Sequence, residues 1–153
     1  GGARVFATVS SDEKMQIATE AGADLGVNYR KPGAVEQLVG NGISRIVEVN
    51  LAENLTLDIA ISQPGMKIVS YAADGVDPVL PRRLLMSATI TIEFMMLYNA
   101  QKEKFWAAVE SVNQALRDGK LNMPLVSYFS LDEIATAHEK VEAGSSERVL
   151  LRV

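Results

Sequence analysis

Three side chains near the start of the chain have the types and spacing to hold a phosphate: Ser10, Ser11 and, one helical turn later, Lys14. Hydroxyls and the N–H groups of a helix terminus donate to phosphate oxygens, and an ammonium supplies the opposite charge. The same residues also read as an ordinary helix start, with Ser10 and Glu13 forming an S-x-x-E capping box and Lys14 solvated beside Asp12 and Glu13. Tyr29, followed by Arg30 and Lys31, could border the same phosphate, or be an aromatic ending a strand at a basic turn. Other chemistry is narrower. The single histidine, His138, sits beside Glu139 with no second histidine and no Ser-x-Gly elbow in the sequence, so neither a catalytic triad nor a histidine metal site forms around it. With no cysteine, a thiol nucleophile, a disulfide framework and a cysteine zinc site are excluded as well. Arg82 and Arg83 read as a solvated helix start, Met95 and Met96 as core or interface filling, and Trp106 as packing on a long helix.

The elements that must position these groups alternate. Apolar, β-branched runs at 4–9 (RVFATV), 25–29, 45–49 (RIVEV), 67–71 (KIVSY), 89–94 (TITIEF), 125–129 and 149–153 predict strands. Between them, a helix from Ser10 to Gly22 and others at 34–39, 51–61, near 81–86, at 102–117 and from Ser130 to Gly144 follow from apolar stripes, capping signals and glycine stops. A second S-x-x-E box, Ser130 with Glu133, opens the last of these, and a turn-rich link runs through Asp74, Gly75, Asp77 and Pro78. Strands alternating with helices predict an α/β fold with a doubly wound, mainly parallel sheet covered on both faces. Such a sheet places its ligand beyond the carboxyl ends of its strands. In a dinucleotide fold, an acid at the end of the strand before Ser10 would grip a ribose 2′-hydroxyl, whereas hydroxyls and a cation suit a 2′-phosphate, so the residues favour NADPH. Asn50, Ser70 and Tyr71 close two further strands and could border a ribose or a nicotinamide, or be ordinary loop residues.

Composition narrows the class. The 153 residues, 48% of them hydrophobic and 22% charged, suit one globular domain with a real core. Fifteen basic against nineteen acidic residues leave a net charge of −4, which disfavours a nucleic-acid partner. The most apolar stretch, 84–97, is interrupted by Ser87, Thr89, Thr91 and Glu93, so neither a membrane span nor a membrane partner is expected. The pattern fits a cytoplasmic chain without a signal peptide.

The segments GARVFATVSSDEK, AGAD with VNYR, RIVEVN, PGMKIVSY and FSLDEIATAHEKVEAG leading to VLLRV, in that order and spacing, make the chain resemble the cofactor domain of medium-chain dehydrogenase/reductases. The likeness is to the zinc-independent, zeta-crystallin-like quinone oxidoreductase branch and spans essentially the whole chain. It implies a Rossmann-like sheet in which Lys14 and Tyr29 help bind the 2′-phosphate of NADPH. It also implies hydride transfer to a small-molecule quinone or conjugated carbonyl, and a homodimer paired through the strand from Thr89 to Phe94. No metal and no catalytic residue are implied within this chain. The candidate cofactor-binding set is therefore Ser10, Ser11, Lys14, Tyr29, Asn50, Ser70 and Tyr71.

The G-x-G-x-x-G type of turn that cradles a pyrophosphate is absent from the sequence. Residues 1–153 are accordingly read as a partial dinucleotide-binding domain lacking the first strand and its Gly-rich turn, with the substrate and catalytic domain upstream. The isolated chain is expected to be inactive. Related alternatives are an enoyl reductase or an alcohol dehydrogenase of the same superfamily, and a different one is a non-catalytic nucleotide-binding or interaction module.

Overall fold

The computed structural model describes residues 2–72, 75–121 and 125–153. The chain divides into two compact units, Gly1–Glu110 and Ser111–Val153. In the first, β1 (Phe6–Val9), α1 (Asp12–Glu20), β2 (Leu25–Asn28), a 3₁₀ turn (Val35–Leu38), β3 (Ile43–Glu48), α2 (Leu51–Ile61) and β4 (Ser62–Ser70) follow one another. They continue into α3 (Arg82–Ser87), β5 (Thr91–Phe94), a second 3₁₀ turn (Leu97–Asn99) and α4 (Lys102–Arg117), which crosses the boundary. The second unit adds β6 (Val126–Ser130), a 3₁₀ turn (Leu131–Glu133), α5 (Ile134–Glu142) and β7 (Arg148–Arg152). Asp74 of the expected link lies outside the described residues.

Among the described residues every strand pairing is parallel, which agrees with the expected α/β architecture. The strands form three sheets, β1 with β2, β3–β4–β5, and β6 with β7. In the first unit the division falls between β1 and β3, where the doubly wound order 3-2-1-4-5-6 carries its first strand. The two sheets nevertheless share a core. Val27 of β2, Ala34, Leu38 and Ile61 are buried together against Ile43 and Ile46 of β3, and those two also pack on Leu51, Leu55, Met66 and Ile68.

Several boundaries differ from the periodicity, each for a local reason. Ser11, not Ser10, caps α1: its Oγ accepts from the Lys14 N–H at 3.2 Å. Within 34–39 only a 3₁₀ turn, Val35–Leu38, forms, between Gly33 and Gly40, both at positive φ. β4 begins at Ser62 and bends through Pro64 and Gly65, and its register with β3 is irregular between Ile43 and Arg45. β5 starts only at Thr91, because Thr89 adopts φ 52° and closes α3 in a Schellman turn. There Thr89 N–H donates to Met86 O at 3.1 Å and Ile90 N–H to Leu85 O at 3.0 Å, with Leu85 and Ile90 packed on one core cluster.

The seating of α1 on β2 depends on Gly26, where a Cβ would lie 2.6 Å from Met15 Cγ. Within the second unit, Lys140 of α5 donates to Ser127 of β6 at 2.7 Å and pairs with Glu147, so helix and strands are tied by one polar cluster. Among the described residues no helix is long and apolar enough to cross a membrane.

Candidate functional site

The carboxyl ends of β1 and β2 bring the first group of candidates together. Their register pairs Val9 with Asn28, and the Tyr29 N–H donates to Val9 O at 3.0 Å, so Ser10 and Tyr29 leave adjacent strands side by side. Asn28, 9% exposed, fixes the turn that follows: its Oδ1 accepts from the Arg30 N–H at 3.1 Å and its Nδ2 donates to Asp12 Oδ1 at 3.0 Å. The other Asp12 oxygen takes the Lys31 ammonium at 2.7 Å. Hydrogen bonds from Asn28 and then Lys31 hold the Asp12 carboxyl below its ordinary range. Both Asp12 oxygens are thus engaged, whereas the Lys14 ammonium and the Arg30 guanidinium have no acidic partner among the described residues. Two unpaired cations, a part-exposed hydroxyl and a half-exposed phenol at a strand end are a set that an anionic phosphate can satisfy.

At the carboxyl end of β3 the chemistry is buried and acidic. Glu48 Oε1 accepts from Val49 N–H at 2.7 Å, Asn50 N–H at 2.5 Å and Asn54 Nδ2 at 3.0 Å, which shapes the turn into α2. Asp58, on the buried face of α2 with Leu51 and Leu55, is 3% exposed. Burial, then the charge of Glu48 and a hydrogen bond to it, push the Asp58 carboxyl up to about 7. Protonated Asp58 can donate to Glu48, while two ionised carboxylates there would repel each other. Asn50 Oδ1 and Asp58 Oδ2 are buried acceptors with no partner in the structure. Asn50 stands at the N-terminus of α2, just beyond β3, and does not cap the helix with its side chain.

Ser70 and Tyr71 close β4 beside β5. The Tyr71 N–H donates to Glu48 O at 3.3 Å and the Met95 N–H to Ser70 O at 2.9 Å, joining the three strand ends. A cleft of about 470 Å³ opens there, lined by Ser70, Tyr71, Ala72, Phe94, Met95 and Met96 among others. Its walls are mostly apolar, with Ser70, Tyr71 and Asn99 adding polar groups. The structure therefore gathers Ser10, Ser11, Lys14 and Tyr29 at the end of one sheet, and Asn50, Ser70 and Tyr71 at the end of the other.

Glu48 and Asp58 were not among the expected site residues. Their signals were a charge inside the apolar run RIVEV and an acid seven residues after Leu51 on an apolar stripe. His138 is exposed on α5, Arg82 and Arg83 are exposed at the start of α3, and Trp106 is more than half exposed, touching Phe105 edge-on. Packing on an apolar helix face thus does not account for Trp106.

A family model described as zinc-binding dehydrogenase matches residues 21–147. The chain belongs to this family. Human quinone oxidoreductase is 25% identical over 148 residues, covering 94% of this chain and 45% of that protein. A solved NAD-dependent alcohol dehydrogenase superposes with a TM-score of 0.82 at 25% identity, over 99% of this chain and 44% of that one. CurA from Vibrio vulnificus, solved in complex with NADPH, reaches a TM-score of 0.80 at 17% identity over 99% of this chain and 50% of that one, a likeness of fold.

The chain spans about half the length of the relatives it matches. It is a Rossmann-like cofactor-domain segment of the medium-chain dehydrogenase/reductases. The zinc in the family's description finds no ligand set here: the sequence has no cysteine, and no group of three or more His, Asp or Glu among the described residues could hold a metal ion.

Proposed function

We propose that residues 1–153 are the cofactor-binding portion of a zinc-independent oxidoreductase that uses NADPH to reduce a quinone or conjugated carbonyl. The observation that carries the cofactor choice is the β1–β2 end, where Lys14 and Arg30 have no acidic partner among the described residues and the nearby acid, Asp12, has both oxygens occupied. An acid free to grip a ribose 2′-hydroxyl would favour NADH. Cations and hydroxyls in its place favour the 2′-phosphate.

NADPH, when bound, supplies the hydride. The residues of this chain bind and orient it: Ser10, Ser11, Lys14 and Tyr29 hold the adenosine phosphate, and Asn50, Ser70 and Tyr71 border the ribose and nicotinamide beside the apolar cleft. No proton-transfer role is assigned to any residue of the chain. The related length of about twice this chain supports a substrate domain elsewhere in the intact protein.

The test is Lys14→Ala in the intact protein. Its NADPH affinity should fall by about 1 to 3 kcal/mol, the scale of a lost charge-assisted hydrogen bond, with little change for NADH. Equal losses for both cofactors would refute the phosphate assignment. The 153-residue chain by itself, without a pyrophosphate turn in its sequence, should be inactive and bind NADPH too weakly for calorimetry at micromolar concentration.

A homodimer in the cytoplasm completes the reading. β5 lies at the edge of its sheet, and Phe94, Met95, Met96 and Leu97 beyond it are exposed, a combination that symmetric strand pairing would cover. Thr91→Lys is the appropriate probe, since Thr91 is exposed while Ile92 packs on the core. Light scattering should show a dimer that this substitution dissociates; an unchanged mass refutes pairing through β5.

A further inference from the structure

The ion pair at the β1–β2 end does more than neutralise two surface charges. Three cations follow or flank these strand ends, Lys14 from α1 and Arg30 and Lys31 from the turn after β2. Asp12, in the first turn of α1, binds Lys31 at 2.7 Å and uses its other oxygen to receive the buried Asn28 amide at 3.0 Å. Because Asn28 also receives the Arg30 N–H at 3.1 Å, the same carboxylate that engages Lys31 is linked to the backbone that presents Arg30.

We propose that Asp12 is a specificity-determining residue that limits affinity for the 2′-phosphate by committing Lys31 to an ion pair. The inference rests on reading this strand end as the 2′-phosphate site. Lys14 and Arg30 then act on the phosphate while Lys31 does not, and the phosphate meets two cations where the sequence offers three. An ammonium already held by a carboxylate gains less from a phosphate, because it must first give up its partner. Cofactor choice is therefore set by a competition inside the chain as well as by contacts to the ligand.

Asp12→Asn separates the two roles of the carboxylate. The Asn oxygen still accepts from Asn28, so the turn keeps its link to α1, while the amide that replaces the other oxygen no longer attracts Lys31. In the intact protein, NADPH and NADH dissociation constants are measured by calorimetry at low and high salt. For Asp12→Asn the NADPH constant should fall about threefold to tenfold with a steeper salt dependence, and that for NADH should stay within about twofold.

Adding Lys31→Ala to Asp12→Asn should return the affinity to the parent value, since the pair is then removed without leaving either charge behind. Unchanged or weakened NADPH binding in Asp12→Asn overturns the proposal. So does a double variant that keeps the gain, since the gain would then come from removing the Asp12 charge. Thermal melts of Asp12→Asn and of the double variant that match the parent show that both fold, so a change in NADPH binding reports on the charges. Loss of the phosphate reading itself would appear elsewhere, as equal NADPH and NADH losses in Lys14→Ala.

Discussion

At the end of β1 and β2 the charged groups face water, with the Lys31 and Asp12 side chains 57% and 58% exposed, whereas at the end of β3 and β4 Glu48, Asp58 and Ser70 are 6%, 3% and 4% exposed. Water and salt screen the first group, so its charges are inexpensive to hold. The second group has lost its hydration, so each polar atom there must find a partner or shed its charge. One strand end keeps its charges in water. The other is built to hold a turn, and its acids act on stability before they act on chemistry.

The largest effect that tests this contrast is the pH dependence carried by Asp58. Its folded value near 7 lies above the ordinary 3.8, so the unfolded chain gives up this proton first as pH rises. Stability from Asp58 is therefore full below about pH 4, declines as pH climbs towards 7, and is lost above it, by up to about 4 kcal/mol. Asp58→Asn, which still donates to Glu48, should flatten that slope and make the chain more stable at pH 8, as seen in urea melts at pH 5 and 8. An unchanged slope would mean that Asp58 is ionised in the folded chain.

Next comes Glu48→Ala, which strips the acceptor from two backbone N–H groups and the Asn54 amide. It should cost about 3 kcal/mol at pH 7 in the urea midpoint. The matching change at the exposed end, Ser11→Ala, removes a helix cap and should cost about 1 kcal/mol by the same measurement. If Ser11→Ala proves the more damaging, the contrast between the two ends is wrong. An effect of similar size is a gain: Thr89→Gly relieves a β-branched residue at φ 52° and should raise stability by about 1 kcal/mol in a thermal melt.

Much of this was legible in the residues. α2 and α4 occupy the spans that their apolar spacing and stop signals predicted, Leu51–Ile61 and Lys102–Arg117. Strand ends were less legible. β4 begins five residues before the expected start: Pro64 and Gly65 read as a stop, yet Ser62 already pairs with Ile43 and the regular register resumes at Lys67. The capping serine was misplaced by one position, since Ser10 and Ser11 offer the same hydroxyl and only the backbone turn selects between them. Ser10, Lys14 and Tyr29 could be singled out because hydroxyls and a cation are read from residue types, whereas the pairing of Asp12 with Lys31 spans nineteen residues and has no local signature.

Residue order and spacing by themselves determined the alternation of strands and helices and the residue types suited to a phosphate, because periodicity, capping and side-chain chemistry are local properties. Tertiary structure alone decided which cations are engaged and which remain unpaired, and that Asp58 is buried against Glu48. Those facts depend on which distant segments meet and on how much water their meeting removes, and a carboxylate's state follows from that hydration and from its neighbours.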